Sequence, residues 1–128
     1  MRRTAVFKLG TVAALFILAV MLIACESSDP TAVQGSQIIL TAQPNPVDLN
    51  LNPAGDSLIT ARVLTGNGTP QQDTIVFFST SNGTVNPTED TTDDEGRAFT
   101  TFSSNVATTA TVTAQSGSAT ASQQIQVL

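Results

Sequence analysis

An apolar residue at every second position is the feature that most constrains the fold of this chain. It is clearest in residues 57–64 (SLITARVL) and 108–115 (TTATVTAQ), which are flanked by glycine or asparagine. Because successive side chains of a strand point to opposite faces, the pattern predicts two strands that each bury one face. The side chains expected to face inward are Ile59, Ala61 and Val63 in the first strand and Ala110, Val112 and Ala114 in the second.

Five other short segments have the β-branched and apolar composition that is typical of strands. They are residues 37–42, 74–80, 84–86, 96–103 and 119–127. Residues 74–80 are apolar on both faces, which predicts a central strand, and Ile125 and Val127 share a face of the last segment. Apolar residues at helical spacing are absent after residue 35. Seven short strands in this arrangement predict an all-β fold, an Ig-like two-sheet antiparallel β-sandwich.

The N-terminus has the organisation of a secretory signal peptide. Three basic residues lie within residues 1–8, and an uninterrupted apolar run of 13 residues, 12–24, follows. A helix needs roughly 20 apolar residues to span a bilayer, so a cleaved leader fits better than a membrane anchor. The alternative is an uncleaved anchor helix that reaches back to Ala5, although Gly10 and Thr11 interrupt it.

Residues 22–25 (LIAC) end the apolar run with the only cysteine of the chain. This segment resembles the lipobox of bacterial lipoproteins. The resemblance implies cleavage before Cys25, lipidation of its thiol with diacylglycerol, and an anchor of three acyl chains, where stable attachment needs at least two. Glu26 stands where inner-membrane retention signals usually have aspartate, which favours the outer membrane. The alternative is an incidental or buried thiol.

The chain is therefore expected to have three parts. Residues 1–24 are a leader that is removed, residues 25–35 are the lipidated cysteine with a flexible tether, and residues 36–128 form the β-sandwich domain. The tether prediction rests on small polar residues around Pro30.

Five motifs follow one another in the predicted domain. They are GTP at residues 68–70, VFF at 76–78, SNGTV at 81–85, TDDEGRA at 92–98 and ATVTA at 110–114. Their order and spacing resemble a bacterial Ig-like domain of the invasin/intimin type (group 1). Residues 71–73 (QQD) depart from the Pro-Val-x-Gly run that is common in this family. The resemblance implies a module that binds or spaces rather than catalyses.

Charge and residue content exclude several functions. After residue 24 the chain has ten acidic residues but only Arg62 and Arg97 as cations, a formal net charge of −8. Such a surface neither neutralises phosphates nor attracts anionic lipid headgroups, so nucleic-acid binding is excluded and attachment depends on the lipid. The chain has no histidine and no lysine after Lys8. Histidine-assisted nucleophiles are therefore excluded, and neither an enzymatic activity nor a cofactor is expected.

Two groups of residues are candidates for ligand binding. The acidic loop at residues 89–95 offers carboxylate oxygens of the kind that Ca²⁺ prefers, without the spacing of an EF-hand. The alternative for this loop is a solvated segment that keeps the domain soluble. The carboxylates concerned are Glu89, Asp90, Asp93, Asp94 and Glu95. Phe77 and Phe99 alternate with inward residues and are candidates for a binding patch if both are exposed. The alternative is that loops or neighbouring strands cover them.

These observations predict a lipid-anchored bacterial envelope protein with a single Ig-like module, bound to the membrane through Cys25. Two functions stay open. The module is either an adhesion or spacer domain that contacts a protein or glycan, or an accessory subunit that docks on a larger envelope complex.

Overall fold

A computed structural model describes residues 31–128 as eight β-strands in two four-stranded antiparallel sheets. The strands are β1 (Gln37–Gln43), β2 (Asp56–Leu64), β3 (Ile75–Thr80), β4 (Thr84–Asn86), β5 (Glu89–Thr91), β6 (Arg97–Ser103), β7 (Thr108–Ser116) and β8 (Ala119–Val127). Sheet A has the order β1-β2-β6-β4, and sheet B has the order β5-β3-β7-β8. The expected leader, Cys25 and the first part of the tether lie outside the described residues.

The sheets pack face to face over a core of small and β-branched side chains, as the alternation predicts. Every residue expected to face inward in β2 and β7 is fully buried, and Ile125 and Val127 are buried together in β8. Phe102 on β6 is the largest side chain that is fully buried. The predicted all-β sandwich is therefore confirmed.

The structure has eight strands where about seven are expected; the loop predicted at residues 89–95 is wrong in its first part, which is strand β5. Its backbone pairs with β3, with Thr91 opposite Ile75 and Glu89 opposite Phe77. Glu89 and Asp90 have low strand propensity. They nevertheless form an edge strand because Glu89 is exposed and the carboxylate of Asp90 accepts a 2.8 Å hydrogen bond from the Phe99 N–H of sheet A.

The strand directions place residues 31–36 and residue 128 at opposite ends of the sandwich. At the N-terminal end, the Ala32 N–H donates to the Ser116 hydroxyl at 2.9 Å, beside the β7–β8 turn. At the other end, called the far end below, the Leu128 N–H donates to the carbonyl of Val47 at 2.8 Å. The far end is built by the connections β1–β2, β3–β4 and β6–β7. Within residues 31–128, no helix is long and apolar enough to cross a membrane.

Candidate functional site

The turn between β5 and β6 is organised by Asp93. Its Oδ1 accepts hydrogen bonds from the backbone N–H groups of Glu95 and Arg97, both at 2.9 Å, and its Oδ2 lies 3.6 Å from the Arg97 guanidinium. The bond from the Arg97 N–H is the main cause that lowers the pKa of Asp93 below its usual value of 3.8. This carboxylate therefore holds the turn together in its charged form.

The two arginines of the described residues lie side by side on the outer face of sheet A. Arg62 on β2 is directly opposite Arg97 on β6. Arg97 forms an ion pair with Glu95 and lies 5.9 Å from the ring centre of Phe99, while the Arg62 Nε donates to the Glu95 carbonyl at 3.3 Å. The acidic turn thus neutralises one of two like charges that would otherwise repel each other across the strands.

Three of the five carboxylates that are candidates for calcium binding make other contacts in the structure. Asp90 bonds the backbone of β6, Asp93 bonds its own turn, and Glu95 pairs with Arg97. In the part of the chain that the structure describes, no group of three or more potential ligands is placed to hold a metal ion. The calcium site stays an untested prediction that these contacts do not favour.

Phe77 and Phe99 lie on the outer faces of different sheets, so the structure does not bring them together. Phe77 on β3 is 47% exposed, whereas Phe99 on β6 is half-buried. Phe99 instead shares the outer face of sheet A with Ile39 and Leu58, which are about half exposed. Sequence reasoning missed these two residues, although both occupy the outward positions of alternating strands.

An open cleft of about 490 Å³ lies at the far end, between the β3–β4 turn and the β6–β7 loop. Uncharged amides, hydroxyls and small apolar groups line it, and Val106 at its edge is 63% exposed. Two of the polar groups are held by internal bonds: the Asn82 amide donates to the Thr109 carbonyl, and the Ser104 hydroxyl donates to the Val106 carbonyl. Sequence reasoning missed this cleft, whose only sequence signal is the Ser-Asn-Gly turn at residues 81–83.

The cleft offers groups for contact with another molecule. The cleft has no titratable lining residue, so its groups are suited to hydrogen bonding and apolar packing with a ligand or a partner protein. General acid–base catalysis needs a positioned proton donor or acceptor with a suitable pKa, and these lining residues supply none.

Several solved structures have the same fold. The C-terminal 282-residue fragment of intimin, solved in complex with the intimin-binding domain of the translocated intimin receptor (Tir), matches 70% of this chain at 20% identity and a TM-score of 0.61. The D0–D1 domain of intimin matches 79% at 20% identity and a TM-score of 0.62. A glycosyl hydrolase family 2 member from Bacteroides cellulosilyticus matches 76% at 19% identity and a TM-score of 0.59.

These likenesses concern the fold and not the whole proteins. This chain spans 32% and 51% of the two intimin structures and 15% of the glycosyl hydrolase. No curated protein sequence matches the chain significantly. The family model of the bacterial Ig-like domain (group 1) matches residues 54–128, from the far-end connection before β2 through β8. The chain therefore belongs to the bacterial Ig-like domain (group 1) family.

Proposed function

We propose that this protein is a lipid-anchored module of the bacterial cell envelope that binds or spaces and does not catalyse. In this proposal the thiol of Cys25 carries the lipid, the leader at residues 1–24 is removed, and the membrane is the outer membrane. The partner contacted by the domain is a protein or a glycan.

The single observation that carries the proposal is the position of the chain entry relative to the far end. Residues 31–36 lie beside the β7–β8 turn, whereas the cleft lies at the opposite end of the sandwich. Only residues 26–30 separate the proposed anchor from Thr31, and an extended chain spans at most about 3.5 Å per residue. A lipid on Cys25 therefore keeps the N-terminal end close to the membrane and turns the far end away from it.

The far end then presents contact groups rather than catalytic ones. Besides the uncharged cleft it carries Leu51, which is 85% exposed, and Val106. Apolar side chains and uncharged polar groups are the kinds of contact of which protein interfaces consist. Intimin, which has the same fold, was solved with a protein receptor domain. That precedent supports a protein as the partner here.

Membrane fractionation of the full chain tests the anchor. We expect the wild-type protein in the membrane fraction, released by detergent and retained in high salt, because acyl chains hold it. The Cys25→Ala variant should lose this behaviour, while Ser27→Ala, which leaves residues 22–25 intact, should match the wild type. The proposal is wrong if Cys25→Ala and Ser27→Ala resist salt and dissolve in detergent equally, because residues 12–24 would then be a retained anchor.

Protease treatment of intact cells distinguishes an exposed module from an accessory subunit inside the envelope. An adhesion or spacer module should be cut at exposed loops such as the one around Leu51. A subunit docked inside the envelope should be cut only after the outer membrane is opened.

A further inference from the structure

Of the four sheet edges in the described domain, two are short and a third is covered along its C-terminal half, which limits their pairing with another chain. β4 and β5 have only three residues each, and β5 carries two carboxylates. The C-terminal part of β8 is covered: its Gln126 N–H bonds the Asn45 side chain, and its Gln126 carbonyl accepts from the Val47 N–H. Short length, charge and coverage are the ordinary means by which proteins block strand edges.

β1 is the exception. Its seven residues, QIILTAQ, contain no charge and no proline, and alternate side chains on its outer face are exposed. Ile39 at the middle of this face is 49% exposed. A long uncharged edge strand of this kind is a template for the addition of another strand.

The backbone groups that β1 leaves open follow from the register. The Val63 N–H bonds the Gly96 carbonyl on the β6 side of β2, so Arg62 and the other even-numbered residues of β2 turn their backbone groups toward β1. Ile39 is the partner of Arg62, so the backbone N–H and carbonyl of Ile39 face β2. The backbone groups of the residues that alternate with Ile39 in β1 therefore point away from β2. The groups left at the edge belong to Ile38, Leu40 and Ala42; among the described residues, no loop backbone bonds them.

We propose that β1 pairs with β1 of a second copy of this chain, antiparallel, about a two-fold axis through Leu40. This register places Gln37 opposite Gln43, Ile39 opposite Thr41, and the open N–H and carbonyl groups of Leu40 opposite each other. In this register the first half of each β1 strand pairs with the second half of the other. Both copies therefore use the same surface, as an isologous dimer requires. The two copies of sheet A form one continuous eight-stranded sheet.

The charge distribution supports a second copy as the partner. The eight acidic residues of the described range all lie outside β1, β7 and β8. Two strongly acidic domains repel each other at most orientations. Pairing through β1 brings the copies together along an uncharged strand and covers the exposed Ile39 with the partner's β-branched Thr41.

Disulfide trapping of the full chain in its membrane tests the register. In this pairing residues 39 and 41 of the two copies form a non-hydrogen-bonded pair with Cα atoms about 4.5 Å apart, within reach of a disulfide. Ile39→Cys/Thr41→Cys should therefore give a covalent dimer on oxidation. Thr120→Cys/Ser122→Cys is the matched control, because these two exposed positions of β8 have the same spacing. The wild type shows how much covalent dimer forms through a disulfide between the Cys25 residues of two copies.

Two charged double variants at positions 39 and 41 distinguish a loss of specific pairing from a loss of the fold. Ile39→Glu/Thr41→Glu creates two like-charge pairs across the axis and should raise the dissociation constant about tenfold or more. Ile39→Glu/Thr41→Lys creates two opposite-charge pairs and should restore the dimer. Sedimentation equilibrium of the detergent-solubilised chain, in a solvent that matches the density of the detergent, measures the dissociation constants of the two variant dimers.

The proposal requires both results, and it does not depend on lipidation. Equal trapping of the β1 and β8 cysteine pairs would contradict it, because collisions alone would then explain the dimer. A monomeric wild type, or a Glu/Glu variant that associates as tightly as the Glu/Lys variant, would also contradict it.

Discussion

The backbone N–H of Ala32 donates a 2.9 Å hydrogen bond to the hydroxyl of Ser116, a fully buried residue at the end of β7. The same hydroxyl donates to the carbonyl of Ile75 on β3. Ser116 thus joins the entering chain to two strands of sheet B. A residue expected to belong to a flexible tether is in this way part of the sandwich, with Ala32 itself buried.

Replacement of Ser116 by alanine should lower the free energy of unfolding by about 1–3 kcal/mol, because a buried N–H and a buried carbonyl lose their partner. Equilibrium denaturation measures the change, and hydrogen exchange at Ala32 should accelerate. Ser122→Ala, whose hydroxyl lies 3.0 Å from that of Thr113 on the exposed face, is the control. Equal effects of the two variants would show that the buried bonds of Ser116 contribute nothing.

Gly55 is required by its surroundings and not only by its backbone angle. Its φ is +68°, and a Cβ at this position would lie 1.6 Å from the Ser104 carbonyl oxygen. Gly55→Ala should therefore force the β1–β2 connection away from the β6–β7 loop and destabilise the domain by more than about 2 kcal/mol. Thermal and denaturant unfolding report this loss.

Gly68→Ala separates the two causes. Gly68 has a similar φ of +84°, but a Cβ there would meet nothing within 4 Å. Its replacement should cost only the strain of the left-handed conformation, about 1 kcal/mol. If the two glycines tolerate alanine equally well, the close approach of Gly55 and Ser104 is not a constraint on the fold.

Phe102 should dominate the stability of the core. It is fully buried between the sheets, so Phe102→Ala is expected to cost about 3–5 kcal/mol, a large part of the stability of a small domain. Phe77→Ala removes the same side chain from a position that is 47% exposed and should cost much less. Denaturant midpoints of the two variants compare them directly, and a larger loss at Phe77 would contradict the packing described.

The Asp93 turn should respond to acid. Because the pKa of Asp93 is lowered in the folded protein, its stabilisation is fully present above the usual value of 3.8, which applies to the unfolded chain, and is lost as the pH falls through the folded value. The melting temperature of the wild type should exceed that of Asp93→Asn at neutral pH, and the difference should shrink below about pH 4. Asp94→Asn removes the same charge from an exposed neighbour and controls for net charge. A difference that is independent of pH would contradict the assignment.

The sandwich was predictable because its central strands bury one face each. In β2 and β7 the alternation of Ile59, Ala61, Ala110 and Val112 with polar residues follows the period of a strand, and no tertiary effect opposes it. The strand β5 was not predictable, because it is only three residues long and two of them, Glu89 and Asp90, have little intrinsic strand preference. It forms through its contacts with β3 and β6, which are not visible in local sequence.

The far-end cleft and the positions of Phe77 and Phe99 were also not predictable, because they depend on tertiary contacts that local sequence does not show. The far-end cleft combines groups from three connections that are distant in sequence, such as Ala54, Asn82 and Val106. Phe77 and Phe99 lie on strands that were predicted correctly, but their separation depends on which sheet each strand joins. Periodicity determines which face a residue occupies, whereas it does not determine which faces lie together.

The central claim is that Cys25 is the lipidated first residue of the mature protein, and the intact mass of the protein extracted from its membrane tests this most directly. We expect a chain that begins at Cys25 and carries the added mass of a diacylglycerol and a third acyl chain on its N-terminal peptide. A mass that corresponds to an unmodified Cys25, or to a chain that still contains residues 1–24, would contradict the account.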